Sequence, residues 1–318
     1  MLGGAGFIGS NLTRALIAEG EEVEVVDNFS RGKVAHIKDL DVKVVLADLS
    51  DYSQTRDSLK GIDCVYHLAA RIGSIEYLHG RSDSELDALQ TNISLDVNVI
   101  RACKELRIKK IVYGSSVAVY PMSHQMVDGY VLKEEEIDPI SPEGGYGLSK
   151  MIGERQLAYS DFMPSAIARI FSTYGEFSDY GARAQVVSAL VRKAILYPKE
   201  EFVVWGDGSQ KVNLTYVGDC VDALLKLRHH VAYPPLVVNV GSQDMITVRE
   251  LASKIIELSG KSITPKFELG KPVSPPGRVP YLGRVYHQLG WKPRTSLDFG
   301  LSRTYNWIKK ELTSGFGQ

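Results

Sequence analysis

Tyr146 and Lys150, in the run Tyr146-Gly147-Leu148-Ser149-Lys150, carry the most specific chemistry in this sequence. Residues four apart on a helix share a face, so the ammonium stands beside the phenol. A neighbouring positive charge favours the phenolate, which suits Tyr146 to exchanging a proton with a substrate hydroxyl near neutral pH. The same spacing also occurs on solvated helices, and on its own it decides nothing. Here it follows a Gly- and Pro-rich stretch, 139–145, and comes after a strand-like run ending Gly114-Ser115-Ser116. Open parallel sheets hold ligands at the carboxyl ends of their strands, which puts Ser116 where its hydroxyl can hydrogen-bond a reacting oxygen.

A second constellation lies at the start of the chain. In Met1-Leu2-Gly3-Gly4-Ala5-Gly6-Phe7-Ile8-Gly9-Ser10 the glycines recur every three residues, directly before an amphipathic stretch, 10–19. This spacing predicts a tight turn that lets backbone approach a pyrophosphate at a helix N-terminus. Asp27 ends the next apolar strand, where its carboxylate can accept hydrogen bonds from an adenosine ribose and would repel a 2′-phosphate; NAD is therefore expected over NADP, with Arg31 as the residue that could reverse the preference. Asp48 ends the third strand and either caps the helix starting near Ser50 or contacts adenine.

The elements that must position these groups follow from patterning. Short apolar runs at 23–26, 42–47, 64–68, 110–114 and 166–171 alternate with amphipathic stretches, which predicts an α/β fold with a parallel sheet. After 171 the pattern breaks up around Gly175, Gly181, Pro198, Gly206 and Gly208, and again at 272–280. Helical stretches at 217–228 and 247–259 flank another apolar run at 236–240, so the chain is expected to return to the sheet once. Only Met1 and Leu2 precede the glycines although such a sheet needs its first strand in the middle, and a longer strand upstream is expected on that ground.

Composition narrows the partners. Of 318 residues, 44% are hydrophobic and 24% charged, the net charge is −1 and the seven His are scattered, so no basic stripe offers a footprint for nucleic acid. Cys64, Cys103 and Cys220 lack metal-ligand or redox spacing, no metal is expected, and no apolar run approaches the length of a membrane span. A cytoplasmic protein acting on a small molecule is the expectation.

With these residues in view, the chain resembles the extended short-chain dehydrogenase/reductase family, particularly its nucleotide-sugar epimerases and dehydratases. The likeness runs from about Gly3 to Leu312 and includes the glycine loop, Asp27-Asn28-Phe29-Ser30, His67-Leu68-Ala69-Ala70, Asn92, Ser115-Ser116 with Val119-Tyr120, Tyr146 with Lys150, Ala168-Arg169 with Tyr174-Gly175, Trp205-Gly206-Asp207-Gly208 and Leu289-Gly290-Trp291. It implies a Rossmann-type doubly wound sheet, 1–171 plus about 211–241, holding NAD, and a smaller interleaved α/β domain, about 172–210 plus 242–318, holding a nucleotide-diphosphate sugar, GDP- or UDP-linked. By that resemblance Gly3, Gly6, Phe7, Ile8, Gly9, Asp27, Asn28, Ser30, Asp48, Leu49, Ala69, Ala70, Tyr146 and Lys150 contact the cofactor. Tyr146 is the acid/base, Lys150 holds the nicotinamide ribose and Ser116 assists, whereas Asn92 and His67 are structural. Substrate falls to Ser115, Ser116, Ser172, Lys193, Trp205 and Arg278; Lys193 reads equally as a solvated helix face and Trp205 as packing.

The departures from the family pattern select among its reactions. Val117-Ala118 stand where 4,6-dehydratases carry Asp-Glu. The stretches 71–120 and 238–242 resemble GDP-mannose 3,5-epimerases, yet Ala118 and Gln185 stand at the positions of that group's extra cysteine and lysine, and neither exchanges a proton at carbon. Ser172 replaces a usual Asn, and Val212 an arginine that meets diphosphate. The expected activity is epimerisation at C4 through a transient 4-keto sugar, with a net 4-dehydrogenase or ketoreductase, or a non-catalytic NAD-binding relative, as alternatives. Family members dimerise through two helices, here about 84–106 and 146–159. Their apolar residues Leu86, Leu89, Ile93, Val97, Ile100 and Leu106, with Met151, Ile152, Leu157 and Tyr159, exceed a single stripe, so a homodimer is expected.

Overall fold

Apolar β-branched runs become parallel strands because helices on both sides cover both of their faces. The computed structural model describes residues 1–72, 82–138, 140–271 and 273–314. Across the main sheet the order is Lys43–Leu46, Glu24–Asp27, Leu2, Cys64–His67, Lys110–Ser116, Ser165–Ile170 and Leu236–Val240, all parallel. The chain does return to the sheet, since Leu236–Val240 pairs along its length with Ser165–Ile170.

Met1 and Leu2 fill the central position. Leu2 N–H donates to Tyr66 O at 2.9 Å and Leu2 O accepts from Leu68 at 3.1 Å, while Val26 N–H reaches Met1 O at 2.9 Å. These bonds satisfy part of the backbone that the two neighbouring strands present to the centre of the sheet.

Helices Phe7–Ala18 and Val217–Leu227 cover one face through Leu12, Leu16, Val221, Leu224 and Leu227. Helices Ser82–Leu106 and Gly144–Ala158 cover the other through Leu95, Val99, Cys103 and Leu157. Each such leucine contributes about 2 kcal/mol by leaving water. A separate cluster joins Leu190 and Val191 of helix Val186–Leu196, Leu251 and Ile255 of helix Val248–Ser259, and Leu301 and Ile308 of helix Leu297–Thr313. Thr247 opens the second of these helices with a capping box completed by Glu250, and left-handed Gly260 closes it. Among the described residues the cis peptide bonds are Tyr197-Pro198 and Tyr233-Pro234.

The glycine loop is held from below by Ala5. Its N–H donates to Asp27 Oδ2 at 3.0 Å, and its carbonyl accepts from Lys33 N at 3.1 Å and lies 3.1 Å from His36 Nδ1. His36 also packs edge-on against Phe177 and Trp307, and burial depresses its pKa from 6.5 to about 4. A His depressed in the folded state favours folding above its unfolded pKa and loses that contribution as pH falls toward the folded value. Urea unfolding from pH 7.5 to 4.5 should therefore show a stability loss between about pH 6.5 and 4 that is reduced in His36→Gln; parallel declines in the two proteins would remove His36 from the effect.

Candidate active site

Strand ends and helix starts meet above the middle of the sheet, where the strand order reverses around Leu2. A cavity of about 910 Å³ opens there, and every residue singled out from the sequence as a cofactor or substrate contact lines it. Ser116 ends its strand, and Tyr146 and Lys150 lie on helix Gly144–Ala158.

Gly6 begins helix Phe7–Ala18 with no side-chain cap, which leaves first-turn N–H groups directed at an anion. A Cβ at Gly9 would collide with the Gly3 carbonyl, so only glycine lets the loop and helix come this close. Both Asp27 oxygens accept backbone N–H groups, Oδ2 from Ala5 and Oδ1 from Phe29 at 2.9 Å, and the carboxylate is buried where it meets the cavity. These features fit a dinucleotide with its pyrophosphate on the loop and its adenosine ribose toward Asp27. Asn28 orders the next turn by accepting from Ser30 N at 3.0 Å. Asp48 does not cap the following helix: Asp51 does so by accepting from Gln54 N, while Asp48 accepts from Ser50 N and Oγ and remains exposed at the cavity rim. Arg31 reaches across the cavity toward Asp179, 3.8 Å away.

At the reacting end, Tyr146 and Lys150 are almost fully buried. Burial pushes the Tyr146 phenol above its ordinary value, and a hydrogen bond from Ser116 pulls it back, with Arg31 acting in the same direction as Ser116. The Lys150 ammonium lies over the Tyr113 ring at 4.6 Å; burial lowers its pKa, and the nearby carboxylates of Asp96 and Glu154 raise it. Among the groups that most affect the phenol, then, Ser116 does more than charge to favour phenolate. Ser115 turns its hydroxyl away from this centre to Glu154, 2.5 Å away. Asn92 ties the Arg71 backbone to Ser149 through bonds of 2.6, 3.1 and 3.2 Å, and so positions the Tyr/Lys helix.

On the far wall, Lys193 donates to Val203 O at 2.7 Å and Trp205 is half-buried with Lys271 5.3 Å above its ring. Ser172 lines the cavity and its carbonyl accepts from Thr215. Arg278 pairs with Glu143 at 2.5 Å, and Glu143 N–H donates to Ala118 O at 2.8 Å. Sequence reasoning did not find Glu143; its signal was a carboxylate three residues before Tyr146 in an otherwise Gly- and Pro-rich loop. Val212, Ala118 and Gln185 also face the cavity, and they bring no titratable group to it.

The buried Asp27 carboxylate beside the ribose position should disfavour a 2′-phosphate. Calorimetric titration is expected to show at least about tenfold tighter binding of NAD than of NADP, the scale of one unfavourable charge contact. A preference for NADP would assign the ribose pocket to Arg31.

Comparison with known proteins agrees with this geometry. Residues 1–241 match the model of the NAD dependent epimerase/dehydratase family. GDP-mannose 3,5-epimerase of Arabidopsis thaliana is 30% identical over 98% of this chain and 81% of its own length. A putative UDP-glucose 4-epimerase of Methanocaldococcus jannaschii is also 30% identical, over 96% and 97%. Among solved structures, UDP-glucose 4-epimerase of Thermotoga maritima with UDP-glucose superposes with a TM-score of 0.86 at 26% identity, covering 98% of both chains. The chain belongs to the NAD-dependent epimerase/dehydratase family, and it is a Rossmann-type enzyme of the nucleotide-sugar kind that uses NAD.

Proposed function

We propose that this enzyme is a nucleotide-sugar 4-epimerase. The observation that carries the reading is the joint placement of Ser116, Tyr146 and Lys150 in one cavity with the glycine loop, while Val117 and Ala118 supply no acid for dehydration and Ala118 and Gln185 supply none for exchange at carbon. Residues 1–171 with about 211–241 form the cofactor half in this account, and about 172–210 with 242–318 the sugar-nucleotide half. The named relatives act on UDP- or GDP-linked sugars, which makes those the first substrates to test.

NAD, when bound, supplies the hydride acceptor at the sugar carbon and gives the hydride back. The chain does the rest. Tyr146 Oη takes the C4 hydroxyl proton and later returns it, with Ser116 hydrogen-bonded to the same oxygen. Lys150 holds the nicotinamide ribose and places positive charge behind the phenol. Arg278 meets the diphosphate after exchanging its Glu143 partner for it, and Trp205 and Lys193 bound the nucleotide; Ser115, tied to Glu154, contributes through its backbone and by fixing the strand end. Near-total burial of Tyr146 shields the keto sugar from water while it turns to present its other face.

In solution we expect a homodimer. Leu86, Val97 and Tyr159, on or beside the two helices expected to form the interface, are 52%, 43% and 84% exposed in the single chain, while Ile100, Met151 and Leu157 already serve the core. Light scattering at micromolar concentration should give twice the 35.1 kDa chain mass; a fully active species at the single-chain mass excludes the dimer. No helix among the described residues is long and apolar enough to cross a membrane, and the three cysteines are unpaired, which fits the proposed cytoplasmic location.

The functional reading is tested with a panel of UDP- and GDP-sugars, following product identity. Tyr146→Phe is expected to retain NAD and to lose at least about 100-fold in turnover. Because the Ser116 hydrogen bond lowers the phenol pKa, Ser116→Ala should move the acid limb of kcat/KM to higher pH and lose less activity at pH 9 than at pH 7. Wild-type turnover in Tyr146→Phe removes the phenol from the reaction.

A further inference from the structure

The Tyr/Lys helix rests on buried charges of which only Lys150 has a part in the proposed reaction. Lys150 and Arg169 are 2% and 1% exposed; Arg169 sits beside Ser115 on the neighbouring strand, and Lys150 on helix Gly144–Ala158. A buried cation is stable only if paired. Arg169 has its partner: Glu154 accepts from its Nε at 2.9 Å and Nη2 at 2.7 Å, and Glu154 accepts Ser115 as well. That carboxylate is fully engaged. Asp96, 1% exposed on helix Ser82–Leu106, is the other. The Tyr113 hydroxyl donates to its Oδ2 at 2.7 Å, and His67 Nε2 lies 2.9 Å from its Oδ1. Lys150 stands over the ring of the same Tyr113. One turn beyond Lys150, a Cβ at Gly153 would collide with the Tyr113 hydroxyl and Asp96 Oδ2, so the helix can approach this carboxylate only with glycine there.

We propose that Asp96, oriented by His67 and Tyr113, is the positioning residue that keeps the Lys150 ammonium charged where it faces the nicotinamide ribose. The inference deepens the reading above and rests on its assignment of Lys150 to that ribose. The groups that face the ammonium come from every element around it. Tyr113 from the neighbouring strand, Asp96 from the adjacent helix and Glu154 from its own helix act on it directly; His67 stands behind Tyr113 and Asp96, Arg169 behind Glu154, and Tyr146 one turn away on the same helix. With Glu154 neutralised by Arg169, removal of the Asp96 charge leaves Lys150 to lose its proton at lower pH.

The affinity for NAD, titrated from pH 6.5 to 9.5, reads this out without any sugar. Wild type should hold its affinity across the range. Asp96→Asn should match it near pH 6.5 and fall at least tenfold behind by pH 9.5; Asp96→Ser is a second neutral variant if the first does not fold. Asp96→Glu, which restores a carboxylate, should recover a flatter profile. Lys150→Met should bind weakly at every pH. Parallel wild-type and neutral-variant profiles, or a wild-type affinity that already collapses below pH 9, would overturn the role of Asp96. Wild-type affinity in Lys150→Met would instead overturn the ribose assignment.

Discussion

Four buried charges set the frame on which the site depends: Lys150 and Arg169 against Asp96 and Glu154. Burying an ion costs several kcal/mol unless its partner is in place, so the strand end, the Tyr/Lys helix and the helix carrying Asp96 must meet in one register or not at all. Close approach makes that register possible. Gly153 admits the Tyr113–Asp96 pair, and Asn92 ties the loop after Ala70 to Ser149 in the same layer. Ser116, Tyr146 and Lys150 are then displayed on the cavity side of this buried network.

The opposite wall follows a different logic. The glycine loop is held by hydrogen bonds to Ala5 and Asp27 and by His36, so that its first-turn N–H groups are left for an anion. Arg278, by contrast, is held by a carboxylate that a diphosphate can replace. In the proposed reading one half of the cavity is prebuilt, and the other exchanges the Arg278–Glu143 pair for one with the diphosphate when substrate arrives. This division suits a family in which the cofactor chemistry is shared and the sugar varies.

Much of this was legible in the sequence because local signals coincide with tertiary ones. The glycine spacing, Asp27 at a strand end, and Tyr146 four residues before Lys150 each describe a single element, and the parallel sheet follows from alternating patterns. What was not legible depends on contacts between distant elements. Asp48 reads as well as Asp51 for a helix cap until the turn geometry chooses Asp51. The hydroxyl of Ser115 points to Glu154 rather than toward substrate, which no neighbour in sequence announces. Asp96 did leave a trace, since it places a carboxylate in the stripe of Asn92, Val99 and Cys103 on its helix, but its meaning needs His67 and Tyr113 beside it. Glu143 was hidden in the same way, by a partner 135 positions away.

The central claim is that one cavity removes a hydride from the sugar and returns it to the same carbon without releasing the oxidised sugar or the reduced cofactor. Its most direct test is incubation with UDP-glucose and GDP-mannose deuterated at C4, following the label by mass spectrometry and NMR together with absorbance of reduced cofactor. The account expects at least one of them to give a C4 epimer that retains deuterium at C4, with no accumulation of reduced cofactor. Deuterium appearing in free reduced cofactor, with a keto sugar left behind, would contradict it and make the enzyme a net oxidoreductase.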